Sequence, residues 1–379
     1  MSGPGDLLAL LRHGRALTRA QIVEESRLAR ATVAHRLDQL LTSGFVVPAV
    51  EPIVTGGRPA ERLHLNAQRG CLLAVDLGSS HVRVGLADLA GTVLTEHDED
   101  IDVDAGPEVV LPRIEALLHA ALGDRPPGDV LGLGIGVPGP VEQSTGRLVS
   151  PPTMDGWDGI DVAGRLDFGA PVAVDKDANI IALGVHRELR SRGHRGADDM
   201  LVVKVGMGVG AGIISRGEIL RGAHGAAGDL GHIPREDGPL CRCGQTGCAE
   251  ASAGGWALVR RLARPDVRTS ADLVMLARAG DPDVLELLDA AGRRIGDAVV
   301  EAVGVLNPAL VVIGGNLAEA GIVDRVRERV LARSHPLAAR DLSIIESPLG
   351  AAAGLRGAAE LAADAALAPA RIDDLLSDL

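Results

Sequence analysis

Residues 228–250, GDLGHIPREDGPLCRCGQTGCAE, carry the most specific chemical pattern in the chain. Three thiolates and one imidazole form the complete tetrahedral ligand set of a closed structural zinc site, which leaves no position open for a reactive water. The pattern therefore predicts a bound Zn²⁺ with a structural role. Disulfide bonds are the alternative, and a cytoplasmic chain with a tight Cys-x-Cys pair disfavours them. The predicted metal ligands are His232, Cys241, Cys243 and Cys248.

Apolar strands and amphipathic helices alternate along the chain outside the first seventy residues. Such alternation is typical of an α/β fold. The segment LLAVDLGSS at 72–80 is an apolar strand that ends in an acid and a small-residue turn, and a second strand follows at 82–88. This hairpin could hold a phosphate group or its metal. The remaining strands are predicted near 130–137, 172–175, 201–205 and 310–313, and helices at 179–190, 284–303, 322–333 and 350–366.

The first seventy residues predict three short helices. An apolar stripe at 7–11 marks the first, which we expect to end near Gly14. Thr18 and Gln21 have the spacing of a capping box, so a second helix is predicted to begin at Thr18. Apolar residues within 33–41 repeat at helical spacing and mark the buried face of a third helix. Three short helices, the last two closely joined, indicate a helix-turn-helix unit.

The exposed face of the third predicted helix suits contact with double-stranded DNA, because short or basic side chains can lie close to base edges and phosphates. Strands at 45–47 and 62–65 predict a hairpin wing, and Arg58 in its GGRP loop suits insertion into a narrow minor groove. The alternative is an ordinary three-helix unit with a solvated polar face. The other candidate DNA-binding residues are Arg30, Ala31, Thr32, His35 and Arg36.

The charge of the chain is divided unevenly. Residues 1–70 hold nine arginines and six acids, a net charge of +3, whereas residues 71–379 carry −16. A basic head on an acidic body favours DNA contact through the head, although chance variation over a short window could give the same numbers. The scarcity of aromatic residues argues against stacking on single-stranded nucleic acid. Without a long apolar run or a signal-peptide pattern, we expect a cytoplasmic protein with no membrane span.

Together these motifs resemble the ROK family of repressors, open reading frames and sugar kinases. VKVGMGVGA at 203–211 is similar to the family's glycine-rich signature, and 228–250 is similar to its zinc and sugar segment. GVPGP, DAN, NP and IGG motifs also occur in the family's order, and the resemblance covers essentially the whole chain. It implies a winged helix-turn-helix domain at 1–68. It also implies, at 71–379, a two-lobed actin-like (ribonuclease H-like) sugar-kinase fold of the α/β class, with lobes near 71–178 plus 350–366 and 179–349.

The resemblance further implies a sugar site between the lobes. Asp177 stands where the family's catalytic base takes a proton from the sugar hydroxyl. Lys176 replaces the neighbouring asparagine of the kinases, and Asp229 replaces a glutamate. An ammonium cannot accept hydrogen bonds and would weaken Asp177 as a base. The implied sugar-binding residues are Gly139, Lys176, Asp177, Asp229, His232 and Glu250.

The phosphate side departs further from the kinase pattern. Asp-x-Gly-Gly-Thr-Lys appears here as DLGSSH at 76–81, and Gly-Thr-Gly appears as GMG at 206–208. Ser79 adds a side chain where the backbone must approach phosphate, and Met207 removes a hydroxyl donor. We therefore expect ATP turnover to be weak or absent and Asp177 to be a vestigial base, the alternative being tolerated variation in a working kinase. The residues implied for this degenerate site are Asp76, Gly78, Ser80, Gly206, Gly208, Gly314 and Gly315.

The leading hypothesis is a repressor that binds operator DNA as a homodimer or dimer of dimers and responds to a sugar in its cleft. The second is an ATP-dependent hexose or amino-sugar kinase that keeps a DNA-binding arm. Asp76 and Asp177 favour this second hypothesis, whereas Lys176, Ser79 and Met207 oppose it. The third is a docking platform for a protein partner, in which the sugar cleft is vestigial.

Overall fold

The N-terminal unit of the protein combines three helices with a small antiparallel sheet of order β1-β3-β2 in the computed structural model, which describes residues 3–49 and 61–377. Arg58 therefore lies outside the described residues. The helices are α1 (Pro4–Leu10), α2 (Arg19–Ser26) and α3 (Arg30–Thr42), and the strands are β1 (Leu17–Thr18), β2 (Val46–Pro48) and β3 (Arg62–Leu65).

Local hydrogen bonds set the bounds of these helices. The Thr18 hydroxyl accepts a hydrogen bond from the Gln21 amide at 3.3 Å, and the Gln21 side chain accepts one from the Thr18 amide at 2.9 Å. This capping box starts α2 as the sequence predicts. Gly44, at φ 78°, closes the turn after α3 in a conformation that favours glycine. The first helix ends at Leu10, before the predicted stop near Gly14.

The first lobe of the body is a five-stranded sheet of order β6-β5-β4-β7-β8. Its central strand β4 is buried along its whole length, which explains its unbroken apolar sequence. The predicted hairpin is present, with Asp76 of β4 opposite Arg83 of β5. The strands are β4 (Cys71–Leu77), β5 (His81–Asp88), β6 (Val93–Asp100), β7 (Val130–Val137) and β8 (Val172–Lys176), with helices α4 (Pro107–Leu122) and α5 (Val162–Arg165).

The second lobe repeats this plan with a five-stranded sheet of order β11-β10-β9-β12-β13. The sequence predicts two of its strands, at 201–205 and 310–313, and its two longest helices, at 284–303 and 322–333, whereas the other three strands were not predicted. The strands are β9 (Met200–Val205), β10 (Val209–Ser215), β11 (Glu218–Ile219), β12 (Leu310–Gly314) and β13 (Ser343–Glu346). The helices are α7 (Glu250–Ala253), α8 (Gly255–Leu262), α9 (Ser270–Arg278), α10 (Pro282–Leu306), α11 (Ile322–Arg333) and α12 (Pro336–Ala339).

Two helices, α6 (Asp177–Ser191) and α13 (Ala353–Ala366), pack against each other between the lobes. Helix α13 also covers β4 and β7 of the first sheet, and α6 contacts β9 and β10 of the second. Glycines allow the close crossing, because a Cβ at Gly357 would lie 1.6 Å from the Ile180 carbonyl oxygen. The pair therefore joins the two lobes through tight backbone contact.

The N-terminal unit is packed against the C-terminal end of the body. Helix α1 contacts the last helix, α14 (Pro369–Ser377), and Leu7, Leu8 and Ile372 belong to one continuous buried cluster. The Arg12 guanidinium pairs with Asp364 at 2.6 Å. The unit is thus attached to the body by a shared apolar core.

Among the described residues, none of the helices combines the length and the apolar character needed to cross a membrane.

Candidate functional site

A cavity of about 110 Å³ opens between the lobes at the carboxyl ends of β7, β8 and β9. This edge is where open α/β sheets place their ligands, because loops and helix N-termini converge there. Gly139 lies in the turn after β7, Lys176 ends β8, and Asp177 begins α6. Asp229 and His232 come from the loop after β11.

Five of the six implied sugar-binding residues line this cavity, and Glu250 is not among the described residues that do. Glu250 is 3% exposed, and both of its carboxylate oxygens already accept hydrogen bonds. The Val209 amide donates to Oε2 at 2.8 Å, and the Trp256 indole donates to Oε1 at 3.0 Å. The sugar-binding role of Glu250 stays a prediction. In this structure its carboxylate holds the backbone of Val209, a residue that lines the cavity.

Asp177 is paired with a residue that the sequence motifs did not single out, Lys204. The Lys204 ammonium donates to Asp177 Oδ2, and the Ala178 amide donates to Oδ1 at 2.6 Å. Burial opposes the charge on Lys204, but Asp177, Asp76 and Glu250 outweigh it and raise the pKa of Lys204 above its ordinary value. A carboxylate held against such a cation is a poor proton acceptor.

Lys176 adds a second ammonium to the same cavity. Its Nζ donates a hydrogen bond to the Ala227 carbonyl oxygen. Burial lowers the pKa of Lys176, and the nearby carboxylates of Asp229, Asp175 and Asp177 partly oppose that shift. The position that holds asparagine in the kinases thus carries a donor-only side chain here.

A second cavity of about 180 Å³ lies on the phosphate side and shares Pro138, Thr153, Lys204 and Gly208 with the first. Of the implied phosphate-site residues, Ser80 and Gly208 line it. The other residues lining it are Ser79, Asp102, Asp104, Met207, Arg242, Trp256, Arg268 and Thr269.

The remaining implied phosphate residues are close by but tightly packed. Asp76 is 7% exposed, and its carboxylate lies against Gly354 at the start of α13, where a Cβ would be 2.0 Å away from Oδ2. Burial raises the pKa of Asp76 although His81 and Lys204 oppose the shift. The His81 ring covers Gly78, since a Cβ there would lie 2.4 Å from the ring.

The methionine of the glycine-rich turn between β9 and β10 packs against residues of α8 and α9. The Gly206 amide donates to the Gly208 carbonyl at 3.0 Å, and the Met207 sulfur accepts from the Ser270 amide at 3.2 Å. Gly314 pairs with Lys204 across β12 and β9, and Gly315, at φ 84°, lies against the backbone of Val205. These glycines are thus brought together at the end of β9, as expected for a phosphate-binding edge.

His232, Cys241, Cys243 and Cys248 can hold a metal ion. Their ligand atoms all lie within 4.8 Å of one another. A tetrahedral zinc site with metal–sulfur distances of about 2.3 Å places neighbouring ligand atoms about 3.8 Å apart. The Cys243 and Cys248 sulfurs are 3.7 Å apart, and Cys241 Sγ is 3.5 Å from His232 Nδ1. These separations suit four ligands around one ion and are too long for a disulfide bond.

His232 links the metal cluster to the cavity. Its Nδ1 faces Cys241, while its Nε2 lies 3.6 Å from Glu250 Oε2 at the cavity wall. A carboxylate beyond a ligating histidine fixes the ring orientation. The metal cluster therefore fixes the position of the His232 side chain, which lines the cavity.

The candidate DNA-binding residues have unequal exposure on α3. Arg30, Ala31 and His35 are exposed, whereas Thr32 and Arg36 are half-buried. Ala31 and His35 lie on the outer face of the helix, opposite Val33 and Leu37, which are buried in its core. Arg30, at the first position of α3, is exposed beside Val33 and Leu37. Their role in DNA contact stays a prediction.

Residues 72–365 match the ROK family over the whole two-lobed body. The chain belongs to the ROK family. Its actin-like α/β fold, implied by the sequence motifs, is thereby confirmed, and the two cavities occupy the cleft between the lobes.

Both ROK regulators and ROK kinases are similar to this chain. The crystal structure of a ROK family transcriptional regulator, a homologue of the E. coli MLC protein, is 26% identical with a TM-score of 0.79 and covers 99% of this chain and 98% of its own. The xylose repressor of Caldicellulosiruptor bescii is 28% identical, over 86% of this chain and 87% of its own. The glucokinase of Thermotoga maritima is 32% identical, over 76% of this chain and 96% of its own.

Three residues in or beside the site were given no role from the sequence: Lys204, Trp256 and Arg221. Arg221 donates to Asp175 at 2.8 Å and so supports the end of β8 beside Lys176. A charged residue two positions before Gly206 of the glycine-rich signature was the available signal for Lys204. The sequence contains a weaker indication for Trp256. It lies eight residues after the last cysteine, and its hydrogen bond to Glu250 depends on how the intervening helix α7 folds.

Proposed function

We propose that this ROK protein is a sugar-responsive transcriptional repressor that binds operator DNA through its N-terminal unit and has lost most of its kinase activity. The observation that carries this proposal is the Lys204–Asp177 ion pair in the cleft of a chain whose likeness to a ROK regulator extends over 99% of its length. In this ion pair Lys204 engages the carboxylate of Asp177, which a kinase needs as its catalytic base.

The N-terminal unit supports the DNA-binding half of the proposal. Its helix order and β2–β3 hairpin suit a winged helix-turn-helix, in which α3 would enter the major groove of double-stranded DNA. Arg30 and His35 lie on the exposed side of α3 and would face the bases and phosphates. A homodimer would present two such helices to the halves of a pseudo-palindromic operator.

The cleft supports the sugar-binding half. Gly139, Asp177, Asp229 and His232 come from both lobes, so a monosaccharide between them would favour one lobe arrangement over another. Helix α6 begins at Asp177 and packs along α13, whose far end carries Asp364, the partner of Arg12. A change at the cleft thus has a contiguous route to the N-terminal unit.

The bound metal of the proposal is zinc. Thiolate and imidazole ligands select Zn²⁺, and four protein ligands give it a structural role. It would hold the His232 loop beside the cavity without taking part in chemistry.

Operator binding tests the proposal. Fluorescence anisotropy with a labelled fragment of the protein's own promoter should show binding that one sugar from a panel weakens or strengthens at least ten-fold. Arg30→Ala should reduce the DNA affinity, whereas Arg278→Ala, an exposed arginine on the body, should leave it unchanged. Failure to bind any promoter fragment at low salt would contradict the proposal.

A second candidate function is an ATP-dependent sugar kinase, favoured by the 32% identity to a glucokinase and by a carboxylate at Asp177. A coupled assay of ADP release over a sugar panel separates the two. Sugar-dependent turnover that Asp177→Asn abolishes would favour the kinase.

A further inference from the structure

Lysine has an unusual distribution in this protein. Of 38 basic side chains only two are lysines, and both line the same cavity. Lys176 approaches the cavity from the end of β8 in the first lobe, and Lys204 from β9 in the second. Two ammonium groups from opposite lobes therefore face the position of the ligand.

Lys204 stands at the junction of the two cavities, because it lines both. A ligand that fills the first cavity and extends toward the second must pass its ammonium group. An ammonium has three donors. Asp177 accepts one of them, so further donors remain for a ligand.

The second cavity adds groups that suit an anion. Ser79 and Ser80 offer hydroxyls, and the exposed guanidinium groups of Arg242 and Arg268 carry positive charge. Within residues 3–49 and 61–377, neither arginine forms an ion pair with a carboxylate.

The acids near this second cavity are held by other groups. Asp102 accepts a hydrogen bond from the Asp104 amide at 3.1 Å, and Asp104 accepts one from the Asp155 amide at 3.3 Å. Both side chains are exposed to solvent, where their charge is screened. Asp177 is paired with Lys204. The lining of the second cavity therefore carries three cationic groups, Lys204, Arg242 and Arg268, against the two carboxylates of Asp102 and Asp104.

We propose that the cleft binds a monosaccharide that carries an anionic group outside its ring, with the ring in the first cavity and the anion beside Lys204 toward the second. A phosphate ester and a carboxylate both suit this position, since both accept hydrogen bonds from an ammonium. This inference rests on the proposed function, because it names the ligand class of the proposed sugar site.

Calorimetric titration of the full chain with matched sugars tests the inference. Suitable sets are glucose with glucose 6-phosphate and glucuronate, galactose with galactose 6-phosphate and galacturonate, N-acetylglucosamine with its 6-phosphate, and xylose with xylose 5-phosphate. We expect at least one anionic member to bind ten-fold or more tightly than its neutral counterpart, and the preferred anion distinguishes phosphate from carboxylate. Inorganic phosphate and Mg²⁺-ADP are the separate controls.

Lys204→Met should remove most of the preference for the anionic member, measured as the ratio of the anionic to the neutral affinity. Arg195→Met is the matched control, because Arg195 is exposed in the loop before β9, at the opposite end of that strand from the cleft. The double variant Lys204→Met with Asp177→Asn avoids an unpaired buried carboxylate and should show the same ratio of anionic to neutral affinity as Lys204→Met, with both affinities lowered by the loss of Asp177.

A measurement on the unaltered protein does not depend on how the variants fold. Growth on lysine labelled with ¹³C at Cε and ¹⁵N at Nζ labels only the two lysines and leaves their ammonium donors intact, so each lysine gives its own NMR signal. The anionic ligand should shift both lysine signals at concentrations at which its neutral counterpart shifts neither.

Three other results would overturn the inference. If neutral sugars bind as tightly as the anionic ones and alter operator binding, the inference fails and the proposed function stands. If Mg²⁺-ADP alone shifts the Lys204 signal, the second cavity belongs to a nucleotide. If no carbohydrate binds at all, the inference and the sugar-responsive part of the proposed function fail together.

Discussion

Individual charged groups in the cleft are held by specific partners. Lys204 neutralises Asp177, and the Glu250 carboxylate is shared between Val209 and Trp256. Each contact satisfies a buried polar group that would otherwise cost free energy. Under the proposed function, the contact with Lys204 would keep Asp177 from acting as a catalytic base.

The cysteine cluster gives a first prediction at this scale. Cys243→Ser should lower the bound zinc well below one ion per chain and lower the melting temperature, because metal binding contributes directly to the folding free energy. Elemental analysis and calorimetry measure both quantities. Cys71→Ser, at a buried cysteine outside the cluster, should retain the zinc. Full metal content in Cys243→Ser would show that the cluster is not the site.

Glu360 gives a second prediction, on pH. Burial raises the pKa of Glu360 to about 7, although Arg187 at 3.1 Å opposes the shift. The folded state therefore binds this proton more tightly than the unfolded state does. The contribution of Glu360 to stability is most favourable below its unfolded pKa and falls by about 3 kcal/mol as the pH rises through 7.

Glu360→Gln should remove this pH dependence. Urea unfolding should show that the variant gains stability relative to the parent protein, up to about 3 kcal/mol, between pH 5 and pH 8. Glu346→Gln, at an exposed position, is the matched control. A stability difference for Glu360→Gln that stays constant with pH would refute this account.

At the scale of elements, the crossing of α6 and α13 joins the two lobes. A Cβ at Gly357 would lie 1.6 Å from the Ile180 carbonyl oxygen, so the helices must separate to accept it. Gly357→Ala should therefore destabilise the protein by about 3 kcal/mol or more, which denaturant unfolding can measure. Gly304→Ala on α10 meets open space and should be neutral or stabilising by up to about 1 kcal/mol. Equal stability of the two variants would argue against tight packing of α6 on α13.

The junction of α1 with α13 and α14 gives a prediction about coupling. Arg12→Ala removes the bridge to Asp364, whose side chain is 51% exposed, so the stability cost should be below about 1 kcal/mol. Operator affinity without sugar should be unchanged, while the sugar-induced change in affinity should shrink. Anisotropy titrations of Arg12→Ala and of Arg113→Ala, which breaks an exposed ion pair within the body, make the comparison. An undiminished sugar response in Arg12→Ala would exclude this bridge from the route.

Local interactions explain which elements the sequence could predict. The Thr18 capping box and the bounds of α11 depend on neighbours within a turn or two, and both were predicted correctly. The pairing of Asp177 with Lys204 joins residues 27 positions apart on a helix and a strand. Its geometry depends on how β9 is placed beside α6, which no local pattern encodes. The core shared by α1 and α14 joins residues that are still farther apart in the sequence.

At the scale of the whole molecule, the two-lobed fold separates the cleft from the N-terminal unit. The cleft lies at the carboxyl ends of the central strands, and the N-terminal unit is attached at the far ends of α13 and α14. Movement of one lobe against the other would therefore displace the N-terminal unit without any direct contact with the ligand. Under the proposed function, a sugar bound in the cleft would change the position of the N-terminal unit.

One measurement tests the central claim most directly: ADP release and operator anisotropy followed in the same sample, with Mg²⁺-ATP present and each sugar or sugar derivative added in turn. The account predicts that one of these compounds changes operator affinity at least ten-fold while ADP release stays at its background rate. Sustained ADP release that requires both the sugar and Asp177, with operator affinity unaffected, would contradict it.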